Sequence, residues 1–125
     1  MENSDHTILV GNSFPLSLIR RAVRIEPVSR ESLLASVQGR RIVSFWGHAN
    51  TLSAVRQCFG LDLTPSVERP VLGLSPDNLP MFDGQVFHEC FILSPDYQKN
   101  FRPAIGLEVA QEDIVAWQVL RITWD

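Results

Sequence analysis

The sequence is short of the features that mark a secreted, disulfide-built or membrane-embedded chain. It holds two cysteines, Cys58 and Cys90. One falls in a segment with helical periodicity and the other in a segment with strand periodicity; both read as reduced core residues rather than as a disulfide framework. No uninterrupted apolar run approaches the roughly 18 residues of a membrane-spanning helix. Met1 to His6 is polar where a signal peptide has a basic start and an apolar centre. The expectation is a soluble protein of the cytoplasm without a membrane partner. No repeat, low-complexity tract or linker appears. Lysine is also scarce: of 11 basic residues only Lys99 is a lysine, and the rest are arginine, whose planar fork suits bidentate phosphate contacts.

What is present fits one compact domain. The chain has 125 residues, 45% of them hydrophobic, enough for a single core and too few for two ordinary domains. Its net charge of −3 argues against a protein that coats nucleic acid, because nonspecific phosphate binding draws on broad positive charge. Duplex nucleic acid is therefore not an expected partner. The charge is unevenly spread: residues 1–60 hold seven basic and four acidic residues, residues 61–125 four and ten.

In the first sixty residues strand and helix signals alternate, the pattern of an α/β layer fold. Thr7-Ile8-Leu9-Val10 reads as a short buried strand closed by the turn cluster Gly11-Asn12-Ser13. Leu16, Leu18, Ile19, Ala22 and Val23 recur at helical spacing after Pro15, with Arg20, Arg21 and Arg24 opposite, which predicts a short helix. Val23 to Val28 suggests a strand, and Ser29 opens a helix that stops at Gly39. Arg41 to Trp46 has the β-branched and aromatic content of a buried strand, and the helix from about Thr51 to Phe59 ends at Gly60.

From Leu61 onward prolines punctuate the chain, and Ser75 to Gly84 reads as a long excursion, a lid or an insertion. Gln85 to Leu93 reads as one strong strand, ended by Ser94-Pro95-Asp96, with Val86, His88, Cys90 and Ile92 on one face. A short helix near Gln111 to Ala116 and a final strand from Trp117 to Trp124 complete an α/β fold. The expected architecture is a single domain, 1–125, with a mixed sheet of about five strands flanked by helices.

The stretch from Val43 to Thr51 carries the functional argument. It places His48 at a strand-to-helix junction, where the first helical amides lack intrahelical acceptors and the macrodipole favours an anion. Asn50 or Thr51 can cap that helix. A histidine with an ordinary pKa of about 6.5 can exchange a proton near neutrality beside such a site. Asn12 and Ser13 form a second junction of the same kind, serving as caps or as ligand hydrogen-bonders. Other chemistries find less support. His88, Cys90, Cys58 and His48 can be assembled on paper as a zinc site, but no paired-ligand spacing accompanies them, and no metal is expected. Neither a Gly-x-Ser-x-Gly elbow nor a P-loop is present.

The order of these features resembles the viral and bacterial ring nucleases that degrade cyclic tetra-adenylate, the second messenger of type III CRISPR defence. That family was first met as small uncharacterised proteins of archaeal viruses. Gly11-Asn12-Ser13-Phe14-Pro15 stands in the place of its Asn-Ala-Phe-Ser-like motif. Trp46-Gly47-His48-Ala49-Asn50-Thr51 resembles its Ile-Gly-His-x-x-Thr motif, in which the histidine is catalytic. Arg69 falls where the family has an arginine ahead of its next strand, and Arg102-Pro103-Ala104-Ile105-Gly106 is similar to an Arg-Leu-Pro-Glu-Gly segment whose arginine lines the active site. Pro15 replaces a family serine and Ile105 a family acidic residue. The resemblance implies a homodimer with cyclic oligoadenylate across its two-fold axis, no cofactor, His48 and Arg102 as catalytic residues, and Asn12, Ser13, Gly47, Thr51 and Arg69 as ligand-binding residues. Its alternatives are a sponge that binds the ring without cutting it, and a small DNA-binding protein of a virus or mobile element.

Overall fold

In a computed structural model of the chain, the described residues are 7–46, 51–61, 63, 72–82, 84–99, 109 and 111–124. Their elements are β1 (Thr7–Gly11), β2 (Val23–Pro27), α1 (Arg30–Val37), β3 (Arg41–Phe45), α2 (Leu52–Phe59), β4 (Gly73–Leu74), β5 (Pro80–Phe82), β6 (Gln85–Val86), β7 (Glu89–Tyr97) and β8 (Ile114–Trp124). Two further single turns of 3-10 helix lie at Leu16–Leu18 and Gln111–Asp113.

The main sheet has five strands in the order β2-β8-β7-β1-β3, and the fold is mixed α/β as expected. β1 runs parallel to both neighbours, β3 and β7, whereas β8 is antiparallel to β7 and β2. Every residue of β1 is buried, because it is flanked by strands on both edges and covered on both faces. Ile8 and Val10 point to one cluster, with Leu33 and Val37 of α1, Val55 and Phe59 of α2, Phe91, Leu93 and Val119. Leu9 points to the other, with Phe45, Leu72, Leu79, Phe87, Cys90, Ile92, Ile122 and Trp124.

The two faces are covered differently from expectation. Both helices pack on the first face, and the second is covered by the small antiparallel sheet β4-β5-β6 together with the segment around Phe14 and Leu18. The excursion at 75–84 is thus largely a folded layer: β5 pairs with β4 and β6, and Leu79 is buried in the second cluster.

Several local expectations hold for plain reasons. Ser29 Oγ accepts from Ser32 N at 3.0 Å and caps α1. Gly60 takes φ 69° and closes α2 through its N–H to the Arg56 carbonyl. Others do not hold. The predicted helix after Pro15 is only the turn Leu16–Leu18, since Val23 onward pairs with β8. The single strand predicted over Gln85 to Leu93 is broken at Phe87-His88, and its two parts belong to different sheets. β7 continues through Pro95, which lies opposite Trp117. The β1 pairing of β7 extends only to Ile92, so beyond it a proline without an N–H removes no bond from that ladder.

At the amino-terminal end of the parallel strands a buried carboxylate ties three elements together. Glu89 of β7 accepts from Arg40 NH1 at 2.7 Å, just before β3, and from Arg121 Nε of β8. Arg121 also faces Glu26 of β2 at 3.6 Å.

Candidate functional site

The parallel pairing of β1 and β3 sets the geometry of the site. Their register ends with Gly11 opposite Phe45. Asn12-Ser13 and Trp46 directly follow the two strands, so both leave the sheet side by side at its carboxyl edge. In open α/β sheets this edge is where ligands bind, because loops and helix amino termini converge there. Asn12 is half-buried and Ser13 exposed. Beyond them Phe14 turns back onto Trp124, with ring centroids 5.5 Å apart, and Leu16 stands out to solvent.

The β3-to-α2 junction is held by a buried hydrogen bond. Trp46, 1% exposed, donates its indole Nε1–H to Thr51 Oγ1 at 3.0 Å. Thr51 is itself 5% exposed and makes no side-chain cap bond to α2, so the capping role expected of it is not the one it has. Its hydroxyl faces back to the strand instead. Gly47, His48 and Asn50 lie outside the described residues, as do Arg69, Arg102 and Ile105. Of the expected ligand-binding residues the structure therefore places Asn12 and Ser13 at one edge and Thr51 in the adjoining junction.

Trp46 is the residue that the sequence reading passed over, counting it as the last apolar position of the strand. A signal was available: a buried indole N–H requires an acceptor, and a threonine stands five residues on. Ser44, also in β3, has a buried Oγ with no hydrogen-bond partner among the described residues.

The cysteines are separated by the sheet. Cys58 packs against the helix-side cluster and Cys90 lies in the other. Burial pushes the Cys90 thiol well above its ordinary value, with the neighbouring Glu89 charge acting in the same direction. Among the described residues no group of three or more His, Cys, Asp and Glu side chains is placed to hold a metal ion. No helix of the described residues is long and apolar enough to cross a membrane.

Fold and site edge together define a small mixed α/β domain with two junctions side by side at the carboxyl end of its parallel strands. Its structure is similar to that of B116 of Sulfolobus turreted icosahedral virus, with a TM-score of 0.60 over 94% of this chain and 99% of that one. At 12% identity the likeness is one of fold. No family model and no curated protein sequence matches the chain.

Proposed function

We propose that the protein is a metal-independent ring nuclease that opens a cyclic oligoadenylate, cyclic tetra-adenylate first among them, and so shuts off type III CRISPR signalling. The observation that carries the reading is the β1–β3 register, which sets the Asn12-Ser13 junction beside the junction that bears the Gly-His-x-x-Thr motif. The likeness in fold to a small archaeal-virus protein agrees with the kind of source in which the resembled family was first met.

In this reading a ribose 2′-hydroxyl attacks the adjacent phosphorus. A new phosphorus–O2′ bond forms as the phosphorus–O5′ bond breaks, giving a 2′,3′-cyclic phosphate. The 2′-hydroxyl proton passes to solvent, and His48 gives a proton to the departing O5′, a role worth about 10²–10⁴-fold in rate. Arg102, with the amides at the start of α2, stabilises the added negative charge on phosphorus. Asn12, Ser13, Gly47 and Arg69 position the ring. A cyclic tetranucleotide has even symmetry, so it can lie on the two-fold axis of a homodimer and meet one His48 from each protomer.

The test is incubation of the protein with cyclic tetra-adenylate in excess EDTA. Linear products ending in a 2′,3′-cyclic phosphate are expected, from a protein that light scattering finds dimeric at micromolar concentration. Tight binding with an intact ring supports the sponge, which Ile105 in place of an acidic residue favours. Salt-resistant, sequence-selective binding to duplex DNA supports the DNA-binding alternative.

A further inference from the structure

We propose that the outer edge of β2 is a surface on which a second copy of this chain pairs, strand to strand, about a two-fold axis through Ile25. β2 ends the sheet on its side, and among the described residues no strand pairs with its outer edge. At its centre stands Ile25, a large apolar side chain left 46% exposed. Arg24 beside it is exposed and has no ion-pair partner among the described residues. The contact stands apart from the nuclease reading and uses none of its residues.

The backbone fixes which groups an incoming strand would meet. Val28 N–H binds the Val119 carbonyl at 2.9 Å, which continues the pairing of Glu26 with Arg121 and of Arg24 with Thr123. In an antiparallel ladder alternate residues direct both N–H and C=O to the same neighbour. Arg24, Glu26 and Val28 therefore turn their backbone groups to β8, while Val23, Ile25 and Pro27 turn theirs outward. Pro27 has no N–H, and the gap falls on the outer side, where an edge strand tolerates it. With the axis at Ile25, the two Ile25 residues exchange a pair of N–H to carbonyl bonds, and each Val23 N–H meets a Pro27 carbonyl of the other copy.

The side chains select this register and this occupant. Arg24 of each copy lies directly opposite Glu26 of the other, at the positions without mutual backbone bonds, where cross-strand side chains come closest. Each Glu26 then sits between Arg24 of the other copy and Arg121 of its own β8, which it faces at 3.6 Å. The two neighbouring registers that still match outward backbone groups move the axis to Arg24 or to Glu26 and set like charges face to face, which is unfavourable. Charges on an edge strand ordinarily resist pairing; here they resist the adjacent registers and favour the central one. An unrelated strand lacks this reciprocity. At about 4.8 Å per strand, the two β1 strands of such a pair lie roughly 34 Å apart with their carboxyl edges at opposite ends, so this contact is distinct from a dimer that shares one ring. β2 has five residues, too few to bury the about 1,000 Å² of a stable interface, and the pairing is expected with a Kd on the order of 100 µM.

Sedimentation equilibrium at about 10 µM and about 500 µM protein, below and above that Kd, is the test. The wild-type weight-average mass is expected to rise by at least about half between the two concentrations. Arg24→Glu and Glu26→Arg each set like charges at both pairs across the axis and should weaken association about tenfold or more. Mixed in equal amounts, the two variants regain opposite charges at both pairs and should associate as the wild type does. Glu26→Arg also loses its contact with Arg121, so Ile25→Lys supplies a second disruption: it sets two ammonium groups at the axis, outside both core clusters, and should abolish the rise in mass. A wild-type mass that stays constant, an Arg24→Glu or Ile25→Lys protein that associates like the wild type, or a mixture of folded variants no heavier than its components overturns the proposal. Cleavage is read separately. A protein that cuts cyclic tetra-adenylate at constant mass loses this contact and keeps the nuclease reading, and one that associates as expected while leaving the ring intact does the reverse.

Discussion

Gly11 lies so close to Phe45 that a Cβ built on it would sit 2.5 Å from the Phe45 carbonyl oxygen. The two residues are paired across β1 and β3, and the obstructing atom is backbone, so it cannot swing aside as the end of a side chain would. Glycine is required there by the approach of the neighbouring strand. Gly11→Ala is therefore expected to lower stability by about 1–3 kcal/mol, the usual cost of forcing volume into a packed site. It should also weaken ligand binding, because Asn12 and Ser13 follow directly. Gly60→Ala offers the control. Its Cβ would meet open space, but at φ 69° it would strain the left-handed cap by about 1 kcal/mol without touching the site. Thermal unfolding and ligand titration of the two variants, side by side, check both halves; a Gly11→Ala protein as stable as wild type would refute the close approach.

Glu89 gives a second prediction. Its side chain is 11% exposed and bridges Arg40 and Arg121, whose own side chains are 23% and 38% exposed. Removing one member of a fully buried ion pair costs about 3–5 kcal/mol, because the remaining charge is left without compensation. Water reaches both arginines here, so Glu89→Gln should cost less, about 2 kcal/mol. The network lies at the amino-terminal end of the parallel strands, opposite to the candidate site. Urea unfolding should accordingly register the loss while kcat of the folded variant stays within about twofold; a stability unchanged by the substitution would make the cluster decorative.

The thiols should differ sharply. Cys90 is buried and its thiol is pushed up, chiefly by desolvation, so it stays neutral in the folded protein. A thiol reagent at pH 8 is expected to label Cys58, which is half-buried, and to reach Cys90 only on unfolding. The same shift has a pH consequence. An unfolded thiol loses its proton above its ordinary value of 9.0, while the folded one keeps it, so the unfolded state binds fewer protons there and stability falls as pH rises. Tyr97 is raised too, from an ordinary value of 10.0, so the clean window is pH 9 to 10. In it the Cys90 contribution approaches about 1.4 kcal/mol per pH unit, and Cys90→Ala should flatten the decline by that slope.

Local signals carried as far as local causes did. The Ser29 cap, the Gly60 stop and the apolar runs of β1 and β3 are properties of neighbouring residues, and these elements lie where the sequence put them. Where partners far along the chain decide, the reading diverged. The helical spacing of Leu16, Ile19 and Val23 gave way because Val23 pairs with Trp124. Phe87 left the predicted strand alternation because its N–H is bound by the Pro80 carbonyl, which draws it to the small sheet. Ile114 to Ala116, expected to be helical, became strand because β7 runs on to Tyr97 and offers a ladder. At the site the junctions were legible from strand ends and caps, whereas the Trp46–Thr51 bond was signalled only by a buried indole's need for an acceptor, against the default by which a hydroxyl at a cap position points to its own helix.

The remaining prediction separates an enzyme from a sponge, and it turns on what a proton donor contributes. As the proposed general acid, His48 would interact more strongly with the leaving oxygen in the transition state than with the intact ester, so its loss should fall on the chemical step. His48→Ala is expected to lower cyclic tetra-adenylate turnover at least about 100-fold while affinity stays within roughly tenfold. Arg102→Ala should weaken both, because the charge-assisted contact to phosphate proposed for it would be made before the reaction as well as during it. The pair of variants therefore has distinct signatures in single-turnover kinetics and in equilibrium titration. Equal losses of binding and turnover in His48→Ala would make the histidine a ligand contact instead of an acid. If the wild-type chain neither binds nor cleaves any cyclic oligoadenylate, its resemblance to the ring nucleases is one of motif order without their chemistry, an outcome that similarity short of function readily permits.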